Sequence, residues 1–239
     1  MHLPGTIKAM PAQNAAPPKI IAILPAHNEA ARIQPVVRSV LAFLPALVID
    51  DGSSDQTAAL AEEVGAQVVR QWPNAGKGAA LRAGFRCAIQ CGCDAVITLD
   101  SDGQHNPADI PSFIDLFRHA QPDLIIGYRN FKQMPFARRL ANTFGRLAFS
   151  WALGQYIRDN QSGYRLLSQR MMKATLLSQE QGFEFEIEMI KICIQNKFTL
   201  AWAPIETIYA GESSHIKPIL HVRNFVYQVW RTRQMRKEQ

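Results

Sequence analysis

Two carboxylates stand one residue apart directly after an apolar run, at Asp100 and Asp102 of the segment AVITLDSDGQH. A short apolar run is typical of a buried parallel strand, and ligands bind beyond the carboxyl ends of such strands. Carboxylates held this close repel each other unless a cation lies between them or one takes up a proton. Mg²⁺ is commonly held by one or two carboxylates together with substrate phosphates. The pair, with Gln104 nearby, predicts a partial metal site, although a simple polar turn explains the same residues.

Two earlier apolar runs, at residues 19–25 and 46–49, also end in polar loops, which carry Glu29 and Asp51. Because the carboxyl ends of parallel strands meet at one edge of a sheet, we expect these loops to converge with the carboxylate pair. Three acidic loops on one edge favour a site for a cation and phosphates over three unrelated turns.

The composition is that of a globular protein, with 47% hydrophobic and 19% charged residues among 239. A net charge of +6 and a pI near 9.3 favour anionic partners such as nucleotides, phosphates or lipid head groups. No zinc-finger or RNA-binding motif is present, so we expect no nucleic-acid partner. No apolar run approaches the roughly 20 residues that span a bilayer. The four cysteines lack paired zinc spacing, which favours small buried side chains in a reducing cytosol.

Apolar runs alternate with stretches of helical spacing as far as residue 127, which indicates βαβ units. The fold class predicted is therefore α/β, with an open, mainly parallel sheet covered by helices on both faces. The predicted strands are residues 19–25, 46–49, 67–70, 95–99, 124–127 and 199–203. The predicted helices are residues 36–44, 56–64, 78–90, one opened by Asn106 and Pro107, 169–177, 185–195 and 218–236.

Lys77 stands between two glycines at the predicted start of the helix 78–90. This is not a Walker loop, because no Ser or Thr follows Lys77 and the upstream glycine is missing. The start of a helix can bind anionic oxygens, which predicts a phosphate contact for Lys77. A tight turn into the helix explains these residues equally well.

Six blocks in this order resemble glycosyltransferase family 2 of the GT-A fold, and most of all its polyprenyl-phosphate sugar transferases, of the dolichyl-phosphate mannose synthase type. The blocks are Pro25-x-x-Asn28-Glu29, Asp50-Asp51-Gly52-Ser53-x-Asp55, Asn74-x-Gly76-x-Gly78-Ala79, Asp100-x-Asp102-Gly103-Gln104-His105, Gly127-x-Arg129 and Asp159-x-Gln161-Ser162-Gly163-x-Arg165. The resemblance implies a single Rossmann-like GT-A domain over residues 19–215, with a donor half (19–127) and an acceptor half (128–215). We expect a disordered lead-in at residues 1–18, which has no signal-peptide pattern.

The resemblance implies inverting transfer from a nucleoside-diphosphate sugar, either a GDP-sugar or a UDP-sugar, with Mg²⁺ or Mn²⁺. The positions that match the donor site are Pro25, His27, Asn28, Glu29, Asp51, Lys77 and Asp100. The positions that match the metal ligands are Asp100, Asp102 and Gln104, and Asp102 is also a predicted catalytic residue. A metal bridging the phosphates would neutralise the charge that develops on the departing nucleotide.

The same resemblance implies a lipid-phosphate acceptor. The positions that match its site are Arg129, Arg138, Asn142, Gln161 and Arg165. Arginine suits this task because its planar fork pairs with two phosphate oxygens. An ionised phosphate needs no strong base, whereas a hydroxyl acceptor would need one, and Asp159 is then the predicted catalytic base. A structural pairing of Asp159 with Arg165, and an ordinary solvated position for Arg138, stay open.

Basic and apolar residues share the predicted C-terminal helix, within residues 216–239. This pattern predicts peripheral contact of a cytoplasmic protein with the inner face of the cell membrane. Packing on the domain and a homodimer interface are alternatives. Glu184, Tyr209, Ser214 and His215 depart from the mannose-type pattern, so the sugar and the acceptor stay open. A hydroxyl acceptor and a non-catalytic sugar-nucleotide-binding protein are the alternative functions.

Overall fold

The computed structural model describes residues 16–131, 136–180, 182, 184–206, 208, 229–230 and 232–234. Most of the predicted lead-in and most of the predicted helix 218–236 lie outside these residues. The described C-terminal residues, 229–230 and 232–234, are helical. Within the described chain, no helix combines the length and the apolar character needed to cross a membrane.

Seven strands alternate with helices in the part of the chain that the structure describes. The strands are β1 (Ile20–Ala26), β2 (Ala46–Asp51), β3 (Gln67–Gln71), β4 (Ala95–Thr98), β5 (Leu124–Arg129), β6 (Arg165–Ser168) and β7 (Leu200–Ile205). The helices are α1 (Ile33–Leu41), α2 (Thr57–Glu63), α3 (Lys77–Gln90), α4 (Ile110–Ala120, after a 3₁₀ turn at Pro107–Asp109), α5 (Phe136–Leu153), α6 (Gln169–Thr175) and α7 (Glu184–Gln195). Each element predicted up to residue 127 is present, with shifted ends.

The strands form one sheet in the order β3-β2-β1-β4-β6-β5-β7, and the predicted mainly parallel sheet is confirmed. β6 is antiparallel to both of its neighbours, β4 and β5. The sequence analysis missed this strand, because its apolar part is only the pair Leu166 and Leu167. Thr98 at the end of β4 lies opposite Arg165 at the start of β6. The chain that precedes β6 therefore reaches the same edge as the carboxyl ends of the parallel strands.

Helices cover both faces of the sheet, as predicted. Ala22 and Leu24 of β1 pack on the face covered by α1 and α4, whereas Ile23 packs on the opposite face, against α3. α3 lies directly on the sheet at Gly84, where an added Cβ would be 2.7 Å from Cγ2 of Ile23. The sheet edge that carries the polar loops is thus held by a core on each face.

Asp123, just before β5, ties together the starts of β5, α6 and β7. Its buried carboxylate accepts hydrogen bonds from Nε of Arg170 (2.8 Å) and from the backbone nitrogen and hydroxyl of Thr199 (2.9 Å each). The Ser168 hydroxyl donates a further bond at 3.1 Å. Burial raises the pKa of Asp123, but these donors outweigh it and lower the pKa to about 2.

We predict that Asp123→Asn lowers the free energy of unfolding by about 2 to 3 kcal/mol at neutral pH, because buried donors lose a charged acceptor. Since the pKa of Asp123 is depressed from 3.8, its contribution is complete above about pH 4 and is lost as the pH falls towards 2. Urea unfolding between pH 7 and pH 2 measures both effects. Asp115→Asn on the exposed side of α4 is the control, and equal stability of the two variants would contradict this role.

Candidate active site

The polar loops after β1, β2 and β4 meet at one edge of the sheet, because these strands lie side by side and run parallel. Nδ1 of His27 lies 2.9 Å from the backbone oxygen of Asp51. The Ser101 hydroxyl donates to the backbone oxygen of Pro25, also at 2.9 Å. These bonds join the three loops directly, so their predicted convergence is confirmed.

The loop after β1 is held by its own side chains. Asn28 adopts a left-handed conformation (φ 56°), and its side-chain oxygen accepts from the backbone nitrogen of Ser54 at 2.8 Å. The backbone nitrogen of Glu29 donates to the Thr57 hydroxyl, and its carboxylate pairs with Nε of Arg32, both at 2.8 Å. Burial raises the pKa of Glu29 despite this pairing. Asn28 therefore supports the loop, while Glu29 lies partly exposed beside it.

The Asp51 carboxylate fixes the chain that leads into α3. Its two oxygens accept from the backbone nitrogens of Ala75 (2.9 Å) and Gly76 (2.7 Å), and Nε2 of Gln71 donates to it as well. Gly76 has a φ of 92°, which favours glycine. Asp51 thus places Lys77 at the first position of α3, and a direct contact with the donor stays a prediction.

Lys77 forms the centre of an ion cluster with Asp100 and Glu186. Its ammonium lies 2.5 Å from Oδ1 of Asp100 and 2.7 Å from Oε1 of Glu186, in the first turn of α7. An added Cβ at Gly163 would be 2.9 Å from Oδ1 of Asp100 and 3.0 Å from the ammonium, so the loop before β6 closes over the cluster. The Lys77 side chain therefore points towards the predicted metal site. The sequence analysis missed Glu186, because nothing local distinguishes it from its neighbours Glu184 and Glu188.

The charges in this cluster stabilise one another. Burial raises the pKa of Asp100, but the Lys77 ammonium outweighs this and lowers it to about 2. Burial lowers the pKa of Lys77, but the carboxylates of Asp100 and Glu186 raise it above its ordinary value. Asp100 is thus ionised and Lys77 charged throughout the physiological pH range.

His105 positions Asp100 through the backbone. Its Nδ1 accepts a hydrogen bond from the Asp100 backbone N–H at 3.0 Å, so the neutral ring carries its proton on Nε2. Nε2 faces Oδ2 of Asp100 at 3.9 Å, and the ring lies beside Tyr164 with centroids 5.1 Å apart. In this tautomer Nε2 is a donor, so His105 acts as a support and not as a metal ligand.

Asp100 and Asp102 fit a divalent cation that takes further ligands from its substrate. Asp102 is partly exposed, and one of its oxygens accepts from the backbone nitrogen of Gln104 at 2.9 Å, which leaves the second oxygen for a ligand. Gln104 is held in turn where its backbone oxygen accepts from Ile208 at 3.1 Å. Among the described residues, no three His, Cys, Asp or Glu side chains are grouped to hold a metal. An incomplete set of oxygen ligands is typical of magnesium sites completed by phosphates.

Asp159 and Arg129 form a two-point ion pair on the acceptor side. Nε and Nη2 of Arg129 bind the two oxygens of Asp159 at 2.7 and 3.0 Å, and the Gln161 backbone nitrogen donates to the same carboxylate at 3.0 Å. Asp159 has no exposed surface. The alternative partner considered for Asp159, Arg165, is not its hydrogen-bond partner in the structure.

Arg165 lies in the core below the cleft. It is fully buried, and it donates from Nε to the Ser162 backbone oxygen (2.8 Å) and from Nη1 to that of Glu186 (2.5 Å). Burial lowers its pKa to about 10. Because Arg165 offers no surface to an acceptor here, the structure gives it a positioning role for the start of α7 instead of the predicted contact.

For the other residues predicted to bind the acceptor, the structure gives a position in the fold. Gln161 is exposed in the loop before β6, and Asn142 is half-buried on α5. Arg138 lies in the first turn of α5, and its side chain is outside the described part of the structure. Their contacts with an acceptor stay predictions.

Comparison with known proteins identifies the family. The model of glycosyl transferase family 2 matches residues 21–180. The chain belongs to glycosyltransferase family 2. This family 2 enzyme is 29% identical over 222 residues to the UDP-N-acetylglucosamine–dolichyl-phosphate N-acetylglucosaminyltransferase of Methanococcus voltae, covering 81% of this chain and 87% of that protein. It is 31% identical over 207 residues to the polyprenol monophosphomannose synthase of Mycolicibacterium smegmatis, covering 78% of this chain and 76% of that protein. The predicted family and enzyme class are confirmed.

The fold of this transferase is similar to that of glucosyl-3-phosphoglycerate synthase from Mycobacterium tuberculosis. A complex of that synthase with Mn²⁺, UDP and glucosyl-3-phosphoglycerate aligns with a TM-score of 0.66 and 22% identity, covering 90% of this chain and 78% of the other. A complex of the same synthase with Mg²⁺ and UDP aligns with a TM-score of 0.65 and 22% identity, covering 90% of this chain and 78% of the other. The predicted GT-A fold is thereby confirmed.

We predict that Lys77→Met raises the pKa of Asp100 from about 2, because burial remains while the ammonium that compensates for it is lost. NMR titration of the aspartate carboxyl carbons, with Asp100→Asn used for assignment, measures the shift. Lys173→Met, at an exposed position of α6, is the control and should leave this pKa unchanged. An Asp100 pKa that is the same in the wild type, Lys77→Met and Lys173→Met would contradict the ion cluster.

Proposed function

We propose that this family 2 glycosyltransferase transfers a sugar, with inversion, from a nucleoside-diphosphate sugar to a polyprenyl phosphate at the cytosolic face of a membrane. The observation that carries the proposal is the ion cluster of Lys77, Asp100 and Glu186 beside Asp102, at the edge where three strand-end loops meet. Its charges suit a diphosphate with a divalent cation. The relatives whose names include dolichyl phosphate and polyprenol monophosphomannose support the acceptor class.

Each loop on the proposed donor side binds a different part of the donor. The loops after β1 and β2, with Pro25, His27, Glu29 and Asp51, would hold the base and the ribose. Asp100 and Asp102, with Gln104 beside them, would hold Mg²⁺ or Mn²⁺, the ions found with UDP in the structurally similar synthase.

The leaving group is a nucleotide on which negative charge develops. When bound, the cation supplies positive charge at the diphosphate. Lys77 adds a second positive charge at the start of α3, where backbone N–H groups also favour anionic oxygens. Glu186 holds that ammonium in place.

The acceptor side favours an acceptor that is already ionised. Both oxygens of Asp159 are bound by Arg129, one also by Gln161, and the side chain is buried, so Asp159 is poorly placed to take a proton from a hydroxyl. Glu186, another buried carboxylate near the cleft, is paired with the Lys77 ammonium. A phosphate needs no such base. We propose that Arg138 and Asn142, at the start of α5, bind it.

We predict that Asp102→Asn abolishes metal-dependent donor binding. A panel of UDP- and GDP-sugars, tested with and without Mn²⁺, should raise the melting temperature of the wild type for one donor only when Mn²⁺ is present. In Asp102→Asn this increment disappears, and turnover falls by about 100-fold or more, because the leaving group loses its charge stabilisation. Asp115→Asn should behave as the wild type. No metal-dependent shift with any donor would overturn the donor assignment.

We predict that Arg138→Ala raises KM for a polyprenyl-phosphate acceptor by about 10- to 100-fold, the effect of losing a charged hydrogen-bonded pair. KM for the donor should change little, because Arg138 is proposed to bind the acceptor and not the donor. Arg118→Ala, at an exposed position of α4, is the control. Equal effects on donor and acceptor would place Arg138 outside the acceptor site.

A further inference from the structure

Helix α5 presents an apolar stripe to solvent. Leu140, Phe144, Leu147 and Trp151 are 61%, 67%, 54% and 60% exposed. Their spacing of three and four residues places them on one side of the helix. On the opposite side, Phe149 is fully buried. We call the four exposed side chains the α5 stripe; a contiguous patch of this kind marks an interaction surface.

The charge around the stripe is of one sign. Residues 124–158 contain six basic residues and no acidic one, and residues 213–237 show the same composition. The two stretches meet at Trp151, where the Arg233 guanidinium lies 4.8 Å from the ring centroid. Apolar and aromatic side chains flanked only by arginine and lysine are typical of helices that lie in the surface of an anionic bilayer.

The α5 stripe is also connected to the acceptor side of the cleft. The guanidinium of Arg146, on α5, lies 5.5 Å from the Phe131 ring centroid, and that of Arg129 lies 5.9 Å from the same centroid. Arg129 in turn binds Asp159. The middle of α5 therefore lies near Arg129, next to the proposed acceptor site.

We propose that the α5 stripe docks on an anionic lipid bilayer, with its apolar side chains among the head groups and the neighbouring arginines at the lipid phosphates. Docking in this way brings the acceptor side of the cleft to the level of the head groups. A second copy is a poorer occupant, because apposed stripes would bring two all-basic surfaces together. The identity of the lipid acceptor rests on the proposed function, whereas docking is a binding event separate from transfer.

Co-sedimentation with vesicles tests the docking. The full-length wild type should sediment with vesicles of phosphatidylcholine and phosphatidylglycerol, and less with phosphatidylcholine alone or in high salt. The double variant Leu140→Glu/Leu147→Glu should bind at least about tenfold more weakly, since its charges are repelled by the anionic surface and cannot enter the head groups. Leu177→Glu, which changes a leucine that is 86% exposed elsewhere, is the control and should bind as the wild type.

Binding of the double variant equal to the wild type, or no binding of the wild type, would overturn the proposal. So would a change from dimer to monomer in the double variant, seen by sedimentation velocity, without vesicle binding by the wild type. Turnover with a short, water-soluble isoprenyl phosphate should be unchanged in the double variant, whereas turnover with a long-chain acceptor in vesicles should fall. Failure of the wild type with every acceptor would refute the proposed function and leave the vesicle result standing.

Discussion

The Lys77 ammonium between Asp100 and Glu186 is the interaction on which the rest of the site depends. It joins the start of α3, the end of β4 and the first turn of α7, elements that are distant along the chain. Without it, two partly or fully buried carboxylates would face each other, a costly arrangement. The loop before β6 packs directly on this cluster at Gly163, where an added Cβ would be 2.9 Å from Oδ1 of Asp100. The same interaction keeps Asp100 ionised and holds the Lys77 ammonium beside the proposed diphosphate site.

Strands and helices alternate regularly only in the first half of the chain, up to residue 127. The antiparallel strand β6 explains how the second half nevertheless contributes to the same cleft. Parallel strands alone would carry only their own carboxyl-end loops to the active edge. Because β6 runs the other way beside β4, the loop before it reaches that edge, and the Thr98 hydroxyl donates to the Gly163 backbone oxygen at 2.7 Å. The pair of Arg129 and Asp159 then lies across from the donor loops. The proposed donor side thus lies at the ends of parallel strands, and the proposed acceptor side combines the end of β5 with the loop before the reversed strand β6.

Local sequence signals predicted the convergence of the strand-end loops, because strand periodicity and strand ends are local properties. They placed Asp100, Asp102 and the loops with Glu29 and Asp51 on one edge. Which side chains form ion pairs with each other is not a local property of the sequence. Arg129 binds Asp159 while Arg165 is buried, and only the register of β6 decides this. Glu186 was missed for the same reason, since its role depends on a contact with α3. Helical periodicity likewise shows which α5 side chains share a face, but not that this face stays uncovered.

The reaction proposed for this cleft joins a nucleotide-activated sugar to a lipid phosphate. The most direct test incubates the enzyme and Mn²⁺ with radiolabelled UDP- and GDP-sugars, offering undecaprenyl phosphate or undecaprenol as acceptor. We expect label to enter the phosphate-bearing lipid alone, EDTA to prevent this transfer, and the anomeric configuration of the sugar to be inverted. Label transferred equally well to the alcohol, or transferred in the presence of EDTA, would contradict the proposed reaction.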